Sequence, residues 1–169
     1  MAFWSDINAS PKLSYRWTLT IGEIASYTLR SFQKPSFEIA VSEYININDP
    51  AYKPGLLTWS PIEVALIDGE DSASNNTSIL YKIIEECGYL KAPNGEPMSA
   101  IVKSNAVNAL GGQVTFDQIN ADNVSIEQWK LINPFITQIN FGQANYGADE
   151  MMTIAMTLRY DYAVYESLL

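Results

Sequence analysis

The chain has 169 residues, 47% hydrophobic and 17% charged, which is enough for one domain with a sizeable core and excludes a disordered protein. Its net charge of −9 argues against a protein that grips nucleic acid, because neutralising phosphates requires clustered Lys and Arg. Histidine is absent and Cys87 is the single cysteine, so the commonest general base is missing and neither an intrachain disulfide nor a cysteine-based zinc site is available.

The amino-terminal part of the chain predicts a short arm followed by strands. Residues 1–12 are interpreted as a short amino-terminal arm or cap, in which the apolar Phe3 and Trp4 can dock on the body or on a neighbouring molecule. Residues 12–22 alternate apolar and polar side chains, which is typical of a half-buried strand. Strand sequence continues over residues 28–41, with one break at a proline.

The segment from Ser42 to Trp59 predicts a long loop between strands. It is rich in turn-forming Asn, Asp, Pro and Gly residues, yet it also carries many apolar side chains. An apolar loop of this length is uncommon inside a compact domain and is usually functional. The alternative is that Ile45 and Ile47 continue the preceding strand as one side of a hairpin. The apolar side chains of this segment are Tyr44, Ile45, Ile47, Tyr52, Leu56 and Leu57.

The middle of the chain predicts a strand and the best helix of the sequence. Residues 61–68 read as a strand, and residues 71–90 place apolar side chains, Cys87 among them, at helical spacing. A capping residue is expected among residues 76–78. Residues 99–110 favour a second, short helix, with a strand as the alternative.

The carboxy-terminal part returns to β-structure. Residues 113–120 and 124–132 predict a hairpin, a further strand begins near Phe135, and residues 150–166 alternate along their whole length. The last segment therefore predicts one strand about 50 Å long. Strands, then helix, then strands favour a mainly β single domain, an antiparallel barrel or sandwich with one flanking helix and a long inter-strand loop.

Nothing in the sequence indicates an active site. Asp68, Glu70 and Asp71 cluster in one loop, but their spacing is not that of a calcium loop, and a solvated acidic loop is the simpler interpretation. The serines have no histidine partner, and no phosphate-binding glycine motif is present. We therefore expect neither enzyme activity nor a cofactor. No apolar run approaches the roughly 18 residues of a membrane span, and the first ten residues indicate no signal peptide.

The sequence WKLINPFITQINFGQANYGADEMMTIAMTLRYDYAVYE resembles the end of the tail tube proteins of contractile-tailed bacteriophages. The matching elements are Asn133-Pro134, the turn over residues 142–149, and residues 158–162. Upstream, a strand, a second strand, a long loop, a Trp-containing strand and a flanking helix follow in the order of that family. The tube protein of type VI secretion systems and the tube proteins of phage-like injection particles are similar to this family.

This resemblance implies a structural β-barrel subunit that forms hexameric rings stacked into a tube. Its partners would be further copies of itself, the tail sheath and baseplate proteins, and, within the lumen, the tape-measure protein and DNA without specific binding. The subunit would be made in the host cytoplasm and end in the virion. Alternatives are a tube subunit of an injection or secretion particle, and a ring that initiates or terminates a tube. A third alternative is a monomeric β-barrel module that binds a small ligand.

The resemblance also assigns roles to particular side chains. The apolar residues of 42–59 become contacts to the adjacent ring, and Phe3 and Trp4 join contacts between subunits. The small polar face of the last strand would line or border the channel, past which DNA slides because the protein is acidic and poor in Lys and Arg. From strand alternation, the acidic side chains expected in the lumen are Glu38, Glu63, Asp117 and Asp161.

Overall fold

The structure is a computed structural model that describes residues 12–46, 49–90, 101–147 and 149–168. Within these ranges the chain forms ten strands and two α-helices. The strands are β1 (Trp17–Ile21), β2 (Leu29–Phe32), β3 (Phe37–Asn46), β4 (Asp49–Trp59), β5 (Ile62–Ile67), β6 (Gln113–Ile119), β7 (Ser125–Ile132), β8 (Phe135–Asn140), β9 (Thr153–Arg159) and β10 (Tyr162–Ser167), and the helices are α1 (Asn76–Glu86) and α2 (Lys103–Ala109).

Two four-stranded antiparallel sheets form the body of the protein. Sheet A has the strand order β1-β6-β7-β10, and sheet B has the order β2-β5-β9-β8. Alternation turns one face of each sheet inward, as in β5, where Ile62, Val64 and Leu66 are buried while Glu63 between them is exposed. The predicted mainly β fold is confirmed, in the form of a β-sandwich.

Side chains from both sheets fill the space between them. Phe116 of β6 stacks on Phe32 of β2 with ring centroids 4.9 Å apart, and its ring lies 5.9 Å from that of Trp17. Leu19 and Leu131 of sheet A are fully buried in the same core. Each large apolar side chain removed from water contributes about 1.5–3 kcal/mol. Burial of these apolar faces is therefore the main force that holds the two sheets together.

Both predicted helices are present and cover part of the core. Leu80 and Ile83 of α1 and Ala106 of α2 are buried with the apolar side chains of the sheets, and so are Cys87 and Leu110, which directly follow the two helices. The thiol of Cys87 is free, as expected for a buried structural cysteine. No helix in the described ranges is long and apolar enough to cross a membrane.

The single long strand predicted for residues 150–166 is wrong, because the chain changes sheet there. β9 pairs with β5 and β8 in sheet B, whereas β10 pairs with β7 in sheet A. The apolar face is buried from Ile154 to Tyr160, but Tyr162 and Val164 beyond the crossing are exposed. Crossing over gives the last residues a partner strand in sheet A for their backbone N–H and C=O groups.

The long loop predicted between Ser42 and Trp59 is a hairpin, which was the alternative interpretation. Among the residues that the structure describes, strands β3 and β4 pair only with each other, and we call this two-stranded sheet the arm. Pro54 lies where the register shifts, opposite Val41. Proline lacks an N–H, but both strands of a two-stranded sheet are edge strands, in which every second residue turns its backbone N–H away from the partner strand. The turn-forming residues are thus compatible with strand structure here.

Candidate assembly surfaces

The arm presents apolar side chains to solvent along its length. Ile45 near the tip and Leu56 in β4 are each 82% exposed. An isolated two-stranded hairpin is marginally stable in water, and large exposed apolar patches mark surfaces that a partner covers. The predicted contact residues within the described part of the arm are all exposed, namely Tyr44, Ile45, Tyr52, Leu56 and Leu57. Ile47, Phe3 and Trp4 lie outside the described residues.

Apolar side chains lie on both faces of the arm. Near the tip, Tyr44 pairs with Ala51 and Ile45 pairs with Pro50, without a register shift between the two pairs. Consecutive side chains of a strand point to opposite faces, so Tyr44 and Ile45 face in opposite directions. The arm can therefore make apolar contacts on either side.

The base of the arm is fixed to the body by two sets of contacts. Trp59 packs against Phe37 inside the arm, with ring centroids 5.2 Å apart, and against Tyr160 of the body at 6.0 Å. Lys34, just before the arm, donates a hydrogen bond from Nζ to Glu127 Oε1 at 2.9 Å. The arm thus leaves the body from an anchored base.

Glu127 is a buried carboxylate with three donors. Its residue is 5% exposed, and it accepts hydrogen bonds from Lys34 Nζ, from Trp129 Nε1 at 2.7 Å and from Lys12 Nζ. Burial by itself would raise the pKa of this carboxyl, but the hydrogen bonds from Lys12, Lys34 and Trp129 outweigh burial and lower the pKa to about 2. The same interaction raises the pKa of Lys12. The group is therefore a carboxylate at any ordinary pH.

The side chains on the outer face of sheet B are small and mostly polar. One row across the sheet joins Ser31, Ala65, Ala155 and Asn140 by strand register. Glu63 lies on this face beside its register partner Thr157 and is exposed. This face includes the small polar side of β9 that the sequence indicated, and it carries Glu63 as its acidic side chain on β5.

The outer face of sheet A looks away from that of sheet B. Thr18, Asp117 and Gln128 form one row across it, and Gln128 donates a hydrogen bond to Asp117 at 2.7 Å. Because the two sheets pack face to face, Glu63 and Asp117 point in opposite directions. A single channel surface cannot include both.

The two other lumen candidates occupy further separate places. Glu38 is exposed on the arm, opposite Thr58. Asp161 lies at the crossing between β9 and β10, where Lys103 Nζ donates to its two carboxylate oxygens at 2.6 and 2.7 Å and Asn133 donates at 2.8 Å. Hydrogen bonds from Lys103 and Asn133 hold the pKa of Asp161 below its ordinary value. The structure does not bring the four acidic candidates together.

The acidic loop before α1 has a structural use. Asp68 accepts hydrogen bonds from the backbone N–H and the hydroxyl of Thr77, at 3.1 and 2.6 Å, and Asn75 caps the helix by accepting the N–H of Ser78 at 2.8 Å. The cap lies one residue before the predicted range. In the described ranges no three His, Cys, Asp or Glu side chains are grouped as a metal site would require.

The sequence did not identify the Lys12–Lys34–Glu127 cluster. Its ion pairs join residues that are 93 and 115 positions apart, a distance over which spacing carries no information. One signal was present, because Glu127 occupies an inward position in the alternation with Trp129 and Leu131 of β7. A charged residue on an inward face requires a partner in the core.

No protein-family model matches the sequence, and no curated protein does so either. Solved structures do match the fold. A chain of a sheath–tube complex in the extended state, from the extracellular contractile injection system PVC, aligns at TM-score 0.66 and 14% identity over 99% of both chains. A chain of the PVC sheath/tube terminator aligns at 0.69 and 14% identity, over 94% of this chain and 98% of that one. The tube-terminating cap of the anti-feeding prophage gives 0.67 and 16% identity over 99% of both. The chain therefore has the fold of these components of contractile injection particles.

Proposed function

We propose that this chain is a structural subunit of the inner tube of a contractile particle. The observation that carries the proposal is the fold match, which extends over 99% of both chains to a component of a sheath–tube complex. The particle is either a phage tail, as the sequence resemblance implied, or an injection particle, the class to which the matched structures belong. In both, the subunit is made in a cytoplasm and ends in the assembled particle.

The subunits assemble into hexameric rings around a lumen. Sheet B ends in the edge strands β2 and β8, and addition of a neighbour's edge strand extends a sheet through backbone hydrogen bonds. A heterologous contact of this kind closes into a ring when the rotation between neighbours divides a full turn. Repeated around the ring, sheet B becomes a continuous inner sheet.

The outer face of sheet B is the lumen surface in this arrangement. Among the described residues, its side chains are mostly small and polar, and its two arginines lie at opposite ends of β9, where Arg30 donates to Thr153 and Arg159 is the last residue of the strand. The described part of this face therefore presents no cluster of cations, and DNA or a tape-measure protein slides without being held. Glu63 is then the lumen-facing acid, while Asp117 faces away from the channel, Glu38 belongs to the arm, and Asp161 acts within the subunit.

The arm makes the contact to the adjacent ring. Its apolar side chains on both faces suit insertion between partners, because their exposure in the free subunit is unfavourable. Stacking places one surface on a different one, so it continues without closing and produces a tube. The contact residues are Phe3, Trp4, Tyr44, Ile45, Ile47, Tyr52, Leu56 and Leu57. Sheath and baseplate proteins contact the outside and the end of the tube.

The assembly state of the purified chain tests this function. Light scattering and negative-stain images should show rings or tubes with a central channel, in the presence of the particle's baseplate proteins where nucleation is needed. Rings that stack identify a tube subunit, and single rings identify a terminator. A monomer that persists with baseplate proteins up to the solubility limit would overturn the proposal. Nucleic acid inside purified particles would assign a phage tail, and its absence an injection particle.

A further inference from the structure

Glu127 connects two chain segments that lead to the proposed contact elements. Lys34 lies three positions before Phe37, the first residue of the arm, and Lys12 directly follows residues 1–11, which contain Phe3 and Trp4. Both lysines donate to the same carboxylate, Lys34 to Oε1 and Lys12 to Oε2. One buried group thus fixes the departure points of both segments.

The lysine on the arm side is held from a second direction. Lys34 Nζ lies 5.3 Å from the centroid of the Phe116 ring, and Phe116 is stacked on Phe32 in the core. Trp129 donates to Oε1 of Glu127, the oxygen that also binds Lys34. The Lys34 ammonium group therefore contacts both the buried carboxylate and an aromatic ring of the core, while 44% of its side chain stays exposed.

The amino-terminal side has a second polar anchor in the same row of the sheet. Gln118 of β6 is the register partner of Glu127 and is 4% exposed. Its side-chain amide donates to the carbonyl of Leu13 at 2.9 Å and to that of Arg16. Two buried polar side chains of sheet A therefore hold the segment that precedes β1.

Stability alone is a weak explanation for this cluster. The Glu127 carboxylate is buried, whereas the side chains of Lys12 and Lys34 are 47% and 44% exposed, so the carboxylate bears most of the cost of lost hydration and its ion pairs offset that cost. Removing one member of a buried pair is costly, since the remaining charge is left without its counterion. The best-attested role of a buried polar or charged side chain is to select one geometry among several, as a polar residue in the core of a coiled coil selects one register.

We infer that Glu127 is a positioning residue for assembly, which holds the arm and the residues 12–16 before β1 at fixed places relative to the body, so that a neighbouring subunit can engage the arm in one geometry. The assembly part of this inference rests on the proposed function. The positioning part is a property of the single subunit and is measurable without any assembly.

The test compares Glu127→Gln with the matched control Glu166→Gln. Glu166 is also on sheet A and also pairs with a lysine, Lys130, at 2.9 Å, but it is exposed and lies on the outer face of the sheet, opposite Gln128. Spin labels on Ser42 of the arm and Thr20 of sheet A, in a Cys87→Ala background, report the arm-to-body distance by pulsed dipolar spectroscopy. Both label sites are exposed.

We expect one narrow distance distribution for the parent chain and for Glu166→Gln, and a distribution about twofold or more broader for Glu127→Gln. The concentration needed for half-assembly should rise about tenfold in Glu127→Gln and stay unchanged in the control. Glu127→Asp, which keeps the charge, should recover part of the narrow distribution.

A narrow distribution in Glu127→Gln overturns the inference, whether or not that variant assembles. If Glu127→Gln fails to fold, Lys34→Gln serves in its place, because it removes only the arm-side donor and leaves Lys12 paired. A broad distribution in the variant, together with a parent chain that never assembles, would reject the tube function and leave the positioning role standing.

Discussion

The buried carboxylate of Glu127 accepts hydrogen bonds from three side chains, and it makes the free energy of unfolding depend on pH. The folded pKa of Glu127 is about 2 and its ordinary value is 4.5, so the folded state binds this proton less tightly than the unfolded state. The charged groups that face it are Lys12 and Lys34, and Tyr165 of β10 lies close to Lys12. The stabilisation is complete above pH about 4.5 and is lost as the pH falls towards about 2.

Urea unfolding between pH 7 and pH 2 tests this dependence. A depression of this size corresponds to about 3 kcal/mol of the free energy of unfolding. We expect the parent chain to exceed Glu127→Gln by up to that amount at neutral pH, and the difference to vanish near pH 2. Glu166→Gln should differ from the parent by less than about 1 kcal/mol throughout, because its ion pair is exposed. A pH-independent gap for Glu127→Gln would contradict the assignment.

Gly142, just after β8, illustrates backbone geometry that only glycine accepts. Its φ is +84°, and an added Cβ would lie 2.7 Å from the carbonyl oxygen of Thr153. We expect Gly142→Ala to lower the free energy of unfolding by about 2 kcal/mol or more, since strain and a backbone clash add. Gly112 is the control, because its φ is +79° but nothing lies within 4 Å of the added Cβ. Equal thermal shifts for the two variants would show that the clash is relieved without cost.

At the scale of elements, alternation predicted the strands well but could not assign them to sheets. The strand predicted at residues 61–68 is β5, because buried and exposed positions alternate in it without interruption. Residues 150–166 alternate just as regularly, yet they belong to two sheets, since a period of two is unaffected by a crossing at Tyr160–Asp161. Lys103 and Asn133 hold that crossing, and nothing local to the segment encodes them.

The arm was predicted as a functional apolar segment, but with the wrong preferred conformation. Its proline and glycine residues indicate turns when the sequence is considered alone, whereas a free two-stranded ribbon accommodates them. The sequence did identify the exposed apolar side chains in its described part, because apolar residues are unusual in a segment whose turn-forming residues predict a polar surface. The anchor at Glu127 was missed because its partners are distant in the chain.

The arm makes a prediction that separates assembly from folding. Ile45→Ser combined with Leu56→Ser should raise the concentration for ring stacking at least about tenfold, because both side chains are exposed in the free subunit and buried at a contact. The free energy of unfolding should change by less than about 0.5 kcal/mol per site. Sedimentation and thermal unfolding measure the two effects.

The matched control for the arm replaces exposed apolar side chains of the body. Tyr27→Ser combined with Val124→Ser removes side chains that are 72% and 56% exposed, so it changes surface hydrophobicity in the same sense. Stacking should persist in this control. If both double variants stack equally well, the arm is not the inter-ring contact.

At the scale of the whole molecule, the sandwich has two outer faces, and a tube can use only one of them for its lumen. Sheet B presents small polar side chains with Glu63 among them, and sheet A presents Asp117 in a row with Thr18 and Gln128. Sequence alternation identified both acids as outward-facing but could not distinguish the two faces, because that depends on which sheet each strand joins. The difference between the faces becomes testable once subunits are assembled.

Charge reversal on each face tests which one lines the channel. Glu63→Lys places a cation on the sheet B face of every subunit in the ring, where a DNA or acidic protein cargo would be attracted and slowed. Tubes of normal diameter should still form in negative-stain images, because Glu63 is exposed and its replacement costs little stability. Release of cargo from assembled particles should be slower than in the parent. Asp117→Lys on the opposite face should leave release unchanged when both variants are measured at the same ionic strength. Slower release with Asp117→Lys and normal release with Glu63→Lys would place the lumen at sheet A instead.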